Sequence, residues 1–151
     1  MQISRAKIED AQEILELQKL AYQREAELYN DHTIPPLTQT FEEMRAQFKD
    51  HVVLKTVFEG EIIGTVRAYE EGGICHIGRL AVHLKMQNRG IGTMLIQEIE
   101  KHFDCRHFEL FAGSNSHNNI HLYKKLGYSI FKASRIGRGN KIEMLGLEKH
   151  V

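Results

Sequence analysis

Gln87-Asn88-Arg89-Gly90-Ile91-Gly92-Thr93 is the stretch of this chain best suited to hold an anion. An apolar run with one arginine, Gly78-Arg79-Leu80-Ala81-Val82-His83, leads into it. Behind it Ile91, Met94, Leu95, Ile99 and Phe103 recur at helical spacing, so the glycines open an amphipathic helix that runs to about Phe103. The first N–H groups of a helix lack partners and stand at the positive end of its dipole, which suits a phosphate. Without a Cβ, Gly90 and Gly92 let a bulky anion approach the backbone. Arg89 adds a charged donor and Gln87 a neutral one. The loop is no Gly-x-x-x-x-Gly-Lys-Ser/Thr element. It also lacks the third glycine and the acidic residue of a dinucleotide-binding Gly-x-Gly-x-x-Gly.

Other reactive residues offer weaker patterns. Nine histidines raise the question of a metal. His117 and His121 are four apart, but the glutamate that His-Glu-x-x-His requires is absent, and no metal site is expected. Cys75 and Cys105 have neither metal nor redox spacing, so two reduced, partly buried thiols are expected and an acyl-enzyme is disfavoured.

The elements that must position the loop read as follows. Met1 to Ala6 suits a short strand, and Ile8 to Leu28 a long amphipathic helix with Glu9 and Asp10 in its first turn. Tyr29 to Pro36 reads as irregular, with Pro35-Pro36 excluding helix. Thr40 and Glu43 have the spacing of a capping box for a short helix to about Lys49. Val52–Phe58, Ile62–Tyr69 and Ile74–His83 form a meander with turns at Glu59-Gly60 and Glu71-Gly72-Gly73. His107–Phe111 is a strand, reached from the third by a right-handed crossover through the Gly90 helix. Ser114–Asn119 favours turns, Ile120–Leu126 a short helix closed by Gly127, and Tyr128–Ala133 and Ile142–Leu147 two last strands. The fold class is mixed α/β, an antiparallel meander that turns parallel at one crossover, with about four helices.

The chain of 151 residues is expected to form a single domain over 1–151. Twenty acidic and twenty basic residues balance, which provides no global field for nucleic acid or an anionic membrane. No apolar run approaches the roughly 20 residues of a membrane span. The first residues carry no apolar signal region, so a cytoplasmic protein is expected.

Gln87-Asn88-Arg89-Gly90-Ile91-Gly92 after an apolar strand resembles the acyl-CoA pyrophosphate loop of the GNAT superfamily of N-acetyltransferases. Leu122-Tyr123-Lys124-Lys125-Leu126-Gly127-Tyr128 resembles that family's Leu-Tyr-x-x-x-Gly-Phe/Tyr motif, and the order of elements matches over nearly the whole chain. The resemblance implies a parallel pair that splays around acetyl-CoA. Leu80, Ala81 and Val82 would pair with pantetheine, and the N–H of Leu80 or Ala81 would face the oxyanion. The loop from Gln87 to Thr93 would hold pyrophosphate, and Asn119 would line the cofactor's other side. Tyr123 would act as the general acid toward the CoA thiolate. Glu109 lies where some relatives carry a catalytic glutamate, with Glu70 and Glu71 as rivals.

The expected activity is acetyl transfer from acetyl-CoA to a primary amine by direct attack in a ternary complex, without a metal. The amine would enter near Ile34–Thr38 and is not named; a small amine, a protein N-terminus and a lysine all remain open. A non-catalytic acyl-CoA sensor and a different nucleotide-binding protein are the rival readings. Family members are often homodimers, and no stretch here marks an interface.

Overall fold

A computed structural model describes all 151 residues. Seven strands form one sheet in the order β1-β2-β3-β4-β5-β7-β6: β1 (Ile3–Arg5), β2 (Val52–Phe58), β3 (Glu61–Glu71), β4 (Ile74–Val82), β5 (His107–Gly113), β6 (Ser129–Ile136) and β7 (Ile142–His150). Every neighbouring pair is antiparallel except β4–β5. α4 (Ile91–Lys101) makes that parallel crossover. The helices are α1 (Ala11–Tyr29), α2 (Pro35–Thr38), α3 (Phe41–Gln47), α4 and α5 (His117–Lys125).

The sheet separates two apolar layers. Ile91, Leu95, Ile96 and Ile99 of α4 and Tyr123 of α5 pack with Val66, Ile77, Phe108 and Leu110 on one face. Ala11, Ile14, Leu15 and Leu17 of α1 and Met44 of α3 pack with Val53, Ile62 and Ala81 on the other. Leu95, Ile96 and Ile99 are fully enclosed, and each such side chain contributes about 1.5–3 kcal/mol by leaving water.

Local chemistry explains most boundaries. Thr40 accepts from the Glu43 N–H (3.1 Å) and Glu43 from the Thr40 N–H (2.8 Å), a complete capping box for α3. Gly127 (φ +98°) ends α5 with two reciprocal bonds, Tyr128 N–H to the Tyr123 carbonyl and Gly127 N–H to the Lys124 carbonyl.

Two expectations are corrected. Pro35-Pro36 starts a helix rather than excluding one, because both prolines occupy its first turn, where no N–H partner is needed, and Ile34 before them is extended. The helix expected from Ile120 begins at His117, since the Ser116 carbonyl already accepts from the Ile120 N–H (3.0 Å). No helix is long and apolar enough to cross a membrane.

Candidate functional site

The ladder between β4 and β5 holds three pairs only, Ile74–His107, Cys75–Phe108 and His76–Glu109. Beyond Glu109, β5 stays paired with β7 through Gly113, while β4 stays with β3. The strands therefore diverge, and the half of β4 that carries Leu80, Ala81 and Val82 keeps one ladder instead of two. Within that half Val66 of β3 faces both Arg79 and Leu80, a bulge at which Arg79 takes a left-handed conformation (φ +53°).

At the open end of β4 the chain turns into the Gln87–Thr93 loop. Asn88 (φ +63°) and Gly90 (φ +80°) are both left-handed, which brings the loop round to the start of α4. No side chain caps α4, and its first backbone bond runs from the Met94 N–H to the Gly90 carbonyl (3.1 Å). The N–H groups of Ile91, Gly92 and Thr93 thus keep the positive end of the helix open. Nothing lies within 4 Å of where a Cβ would stand at Gly90, so there is room for a bulky anion. Arg89 is exposed beside it. Gln87 is instead engaged internally: its amide donates to the Val82 carbonyl (3.2 Å), and its oxygen accepts from Arg24 (3.3 Å).

Gly92 brings the two sequence motifs together. A Cβ there would stand 3.2 Å from Leu122 Cδ1 and 3.6 Å from Leu80 Cδ2, so α4, α5 and β4 meet at this residue. Tyr123, the next residue of α5, is 6% exposed and packs on the α4 face of the sheet. Burial pushes its phenol well above the usual range, and Tyr22 and Glu25 push it further. Tyr22 and Glu25 belong to α1, across the sheet. Asn119 is half-buried in the first turn of α5.

Several groups that sequence reasoning passed over gather on the α1 side. Ser116 Oγ donates to Glu25 (2.5 Å) and lies 3.2 Å from the Tyr29 hydroxyl, which accepts from the Asn115 N–H (2.9 Å). These contacts tie α1 to the loop before α5. Deeper in, Arg67 of β3 is 4% exposed and held by Gln18, Gln39 and Met44. A lone arginine in the otherwise apolar run Ile62–Tyr69 was the one available signal.

The structure does not bring Glu109 against Tyr123. Glu109 sits at the vertex of the splay with its carboxylate 3.1 Å from His107 Nε2, and His107 also meets Glu148 (3.0 Å). Glu148 in turn meets His150 (3.2 Å), so ligand atoms of His107, Glu148 and His150 lie within 4.8 Å of one another. Of the rival carboxylates, Glu70 accepts a bond from Cys105 Sγ (3.2 Å). Burial pushes the Cys75 thiol up to about 12 and, with a bond to Glu70, that of Cys105 to about 11, which favours the protonated thiol in both.

The Acetyltransferase (GNAT) family model matches residues 11–128. Over 72 residues, 46% of this chain, the sequence is 36% identical to the uncharacterized protein YdhI of Bacillus subtilis, of which the match covers 44%. The matches span less than half the length of the curated relatives. Among solved structures, smu.2055 of Streptococcus mutans superposes with a TM-score of 0.84 at 19% identity, over 99% of both chains. The PaiA N-acetyltransferase of Thermoplasma acidophilum, solved in complex with coenzyme A, superposes with a TM-score of 0.71 at 19% identity over both entire chains. At these identities the likeness is one of fold.

Proposed function

The chain belongs to the acetyltransferase (GNAT) family, and from that premise we propose that it transfers an acetyl group from acetyl-CoA to a primary amine by direct attack in a ternary complex. The observation that carries this reading is the junction of an uncapped α4 N-terminus with a half-unpaired β4. One offers N–H groups to pyrophosphate and the other offers backbone to pantetheine. Bound acetyl-CoA supplies an activated thioester.

In this reading Leu80, Ala81 and Val82 align the pantetheine arm, and an N–H of Leu80 or Ala81 donates to the thioester oxygen as charge develops there. Asn88, Arg89, Gly90, Ile91, Gly92 and Thr93 hold the phosphates, with Gln87 fixing the loop to Val82. Asn119 borders the cofactor from α5. Tyr123 donates its phenolic proton to the departing sulfur. Its raised pKa keeps the phenol protonated, and the same enclosed surroundings make the thiolate a better acceptor.

The attacking amine must lose a proton, and two carboxylates are candidates to receive it, directly or through water. Glu109 stands at the vertex of the splay. Glu25 shares Ser116 with Tyr29 and acts electrostatically on Tyr123, which favours it as a second candidate. Glu25→Gln and Glu109→Gln are compared at saturating acetyl-CoA, and the larger fall in kcat identifies the base. If neither variant falls more than a few-fold, neither carboxylate has that role.

The decisive experiment is calorimetric titration with acetyl-CoA, CoA, ATP and NAD, followed by thiol release over an amine panel. Acetyl-CoA and CoA are expected to bind while ATP and NAD do not. A folded protein that ignores acetyl-CoA would remove the reading. Binding without turnover on any amine would favour a sensor over an enzyme.

A further inference from the structure

We propose that the acceptor is a small amine that also carries a carboxylate, and that Arg79, with the charge of Arg67 enclosed behind it, recognises this second group. The inference rests on the acetyl-transfer reading and narrows its substrate class. It begins with a charge that the protein leaves uncompensated. Arg67 Nη1 donates to Gln18 Oε1 (2.9 Å) and Met44 Sδ (3.4 Å), and Nη2 donates to Gln39 Oε1 (3.0 Å). All three partners are neutral. Gln18 also donates to the Pro36 carbonyl (2.8 Å) and to Gln39 (3.0 Å), and Gln39 donates to Gln47 (3.0 Å). This network fixes the guanidinium without cancelling its charge.

Arg79 adds a second guanidinium on the adjacent strand. Its side chain makes no hydrogen bond or ion pair, and its Nε is buried with no partner. It stands at the bulge in a left-handed conformation unfavourable for a residue with a Cβ. Burial first, and Arg79 second, draw the Arg67 pKa down to about 9. The nearby carboxylates are committed elsewhere: Glu43 to the Thr40 N–H and Glu25 to Ser116. Two like charges with an orphaned donor are costly to enclose without an anion. A bound carboxylate would offset that cost, since its two oxygens match the planar donors of a guanidinium.

A cavity of about 310 Å³ opens onto Arg79, lined also by Pro35, Thr38, Gln39, Glu43 and Gln47. This volume suits a small molecule. Arg79 directly precedes Leu80, so an anionic group docked on it sits one residue from the backbone assigned to the donor. The paired cations also repel polyamines.

The test uses the full chain with acetyl-CoA and matched amines: amino acids, their carboxamides, their decarboxylated counterparts and phosphate-bearing amines of similar size. The carboxylates should be favoured in kcat/KM by roughly 10- to 100-fold, the size of a charged hydrogen bond. Arg79→Gln should erase that preference by raising KM for the amino acid to that of its carboxamide, with the carboxamide's own KM changing far less. Arg67→Lys, which keeps the charge but loses the planar donors, should reduce the preference about tenfold. Turnover that is indifferent to the carboxylate, or that favours the phosphate-bearing amine, overturns the inference while leaving acetyl transfer intact. Failure of wild-type protein to bind acetyl-CoA overturns the underlying reading instead.

Discussion

The proposed donor and acceptor sides of the splay are built by opposite means. On the donor side, β4, the Gln87–Thr93 loop, α4 and α5 follow within one stretch of chain, and apolar packing at Gly92, Leu80 and Leu122 holds them together. Charge there is left to backbone N–H groups and an exposed arginine. On the acceptor side, Gln18, Pro36, Gln39 and Arg67 come from α1, α2, the turn after it and β3, and buried hydrogen bonds join them. A site made from backbone and glycine can serve any donor with the same diphosphate. A site made from fixed polar side chains discriminates, because each unpaired group penalises the wrong ligand.

Substitutions on the two sides should therefore fail differently. The largest effect is expected from Gly90→Glu, which places a carboxylate in the anion loop and forces a Cβ onto a left-handed residue. Calorimetry should find acetyl-CoA affinity lowered at least about 100-fold. Unchanged affinity in a folded variant would move the phosphate site away from this loop. Tyr123→Phe comes next. Loss of a positioned acid costs about 100-fold or more in kcat, and acetyl-CoA affinity should change far less. Equal losses in both would make Tyr123 a packing residue.

Gly113→Ala tests the acceptor side through stability. A Cβ at Gly113 would strike the hydroxyl and ring of Tyr29, whose hydroxyl holds Asn115. Denaturant unfolding should show a loss of about 1–3 kcal/mol, and Tyr29→Phe in the same background should restore part of it. No loss would mean that α1 and the loop before α5 separate easily.

The smallest effect concerns Asp31, just after α1. Its carboxyl is drawn down to about 2 by bonds from the Thr33 hydroxyl first, then from the Arg138 and Thr33 N–H groups. A lowered folded-state pKa gives stability that is full above the ordinary carboxylate value and lost as pH falls toward about 2. Asp31→Asn should flatten the pH dependence of the melting temperature between pH 4 and 2. A profile as steep as that of the wild type would assign the acid transition to another group.

The same contrast explains what could be read from the chain. β2, the capping box at Thr40, the crossover and the Gly127 terminus rest on local periodicity or single-residue conformational rules, and all were legible. So was the glycine turn into α4, where glycines and helical spacing coincide. The Pro35-Pro36 helix was misread because proline's exclusion applies to a helix interior and not to its first turn. Arg67 and Arg79 escaped for another reason. Their significance lies in what they lack, a carboxylate, and absence of a partner is a property of three-dimensional arrangement.

The bulge at Arg79 and Leu80 also bears on how the chain folds. Before it Cys75 and Ile77 face the α4 layer; after it Leu80 and Val82 face that layer, and Ala81 faces α1. The inserted residue thus reverses the parity of the strand midway. A β3–β4 hairpin that zips without it satisfies one half of β4 and turns the other inside out, with Leu80 and Val82 on the wrong side. Only one register buries both halves, so the bulge ties the pairing of β3 with β4 to the two apolar layers at once.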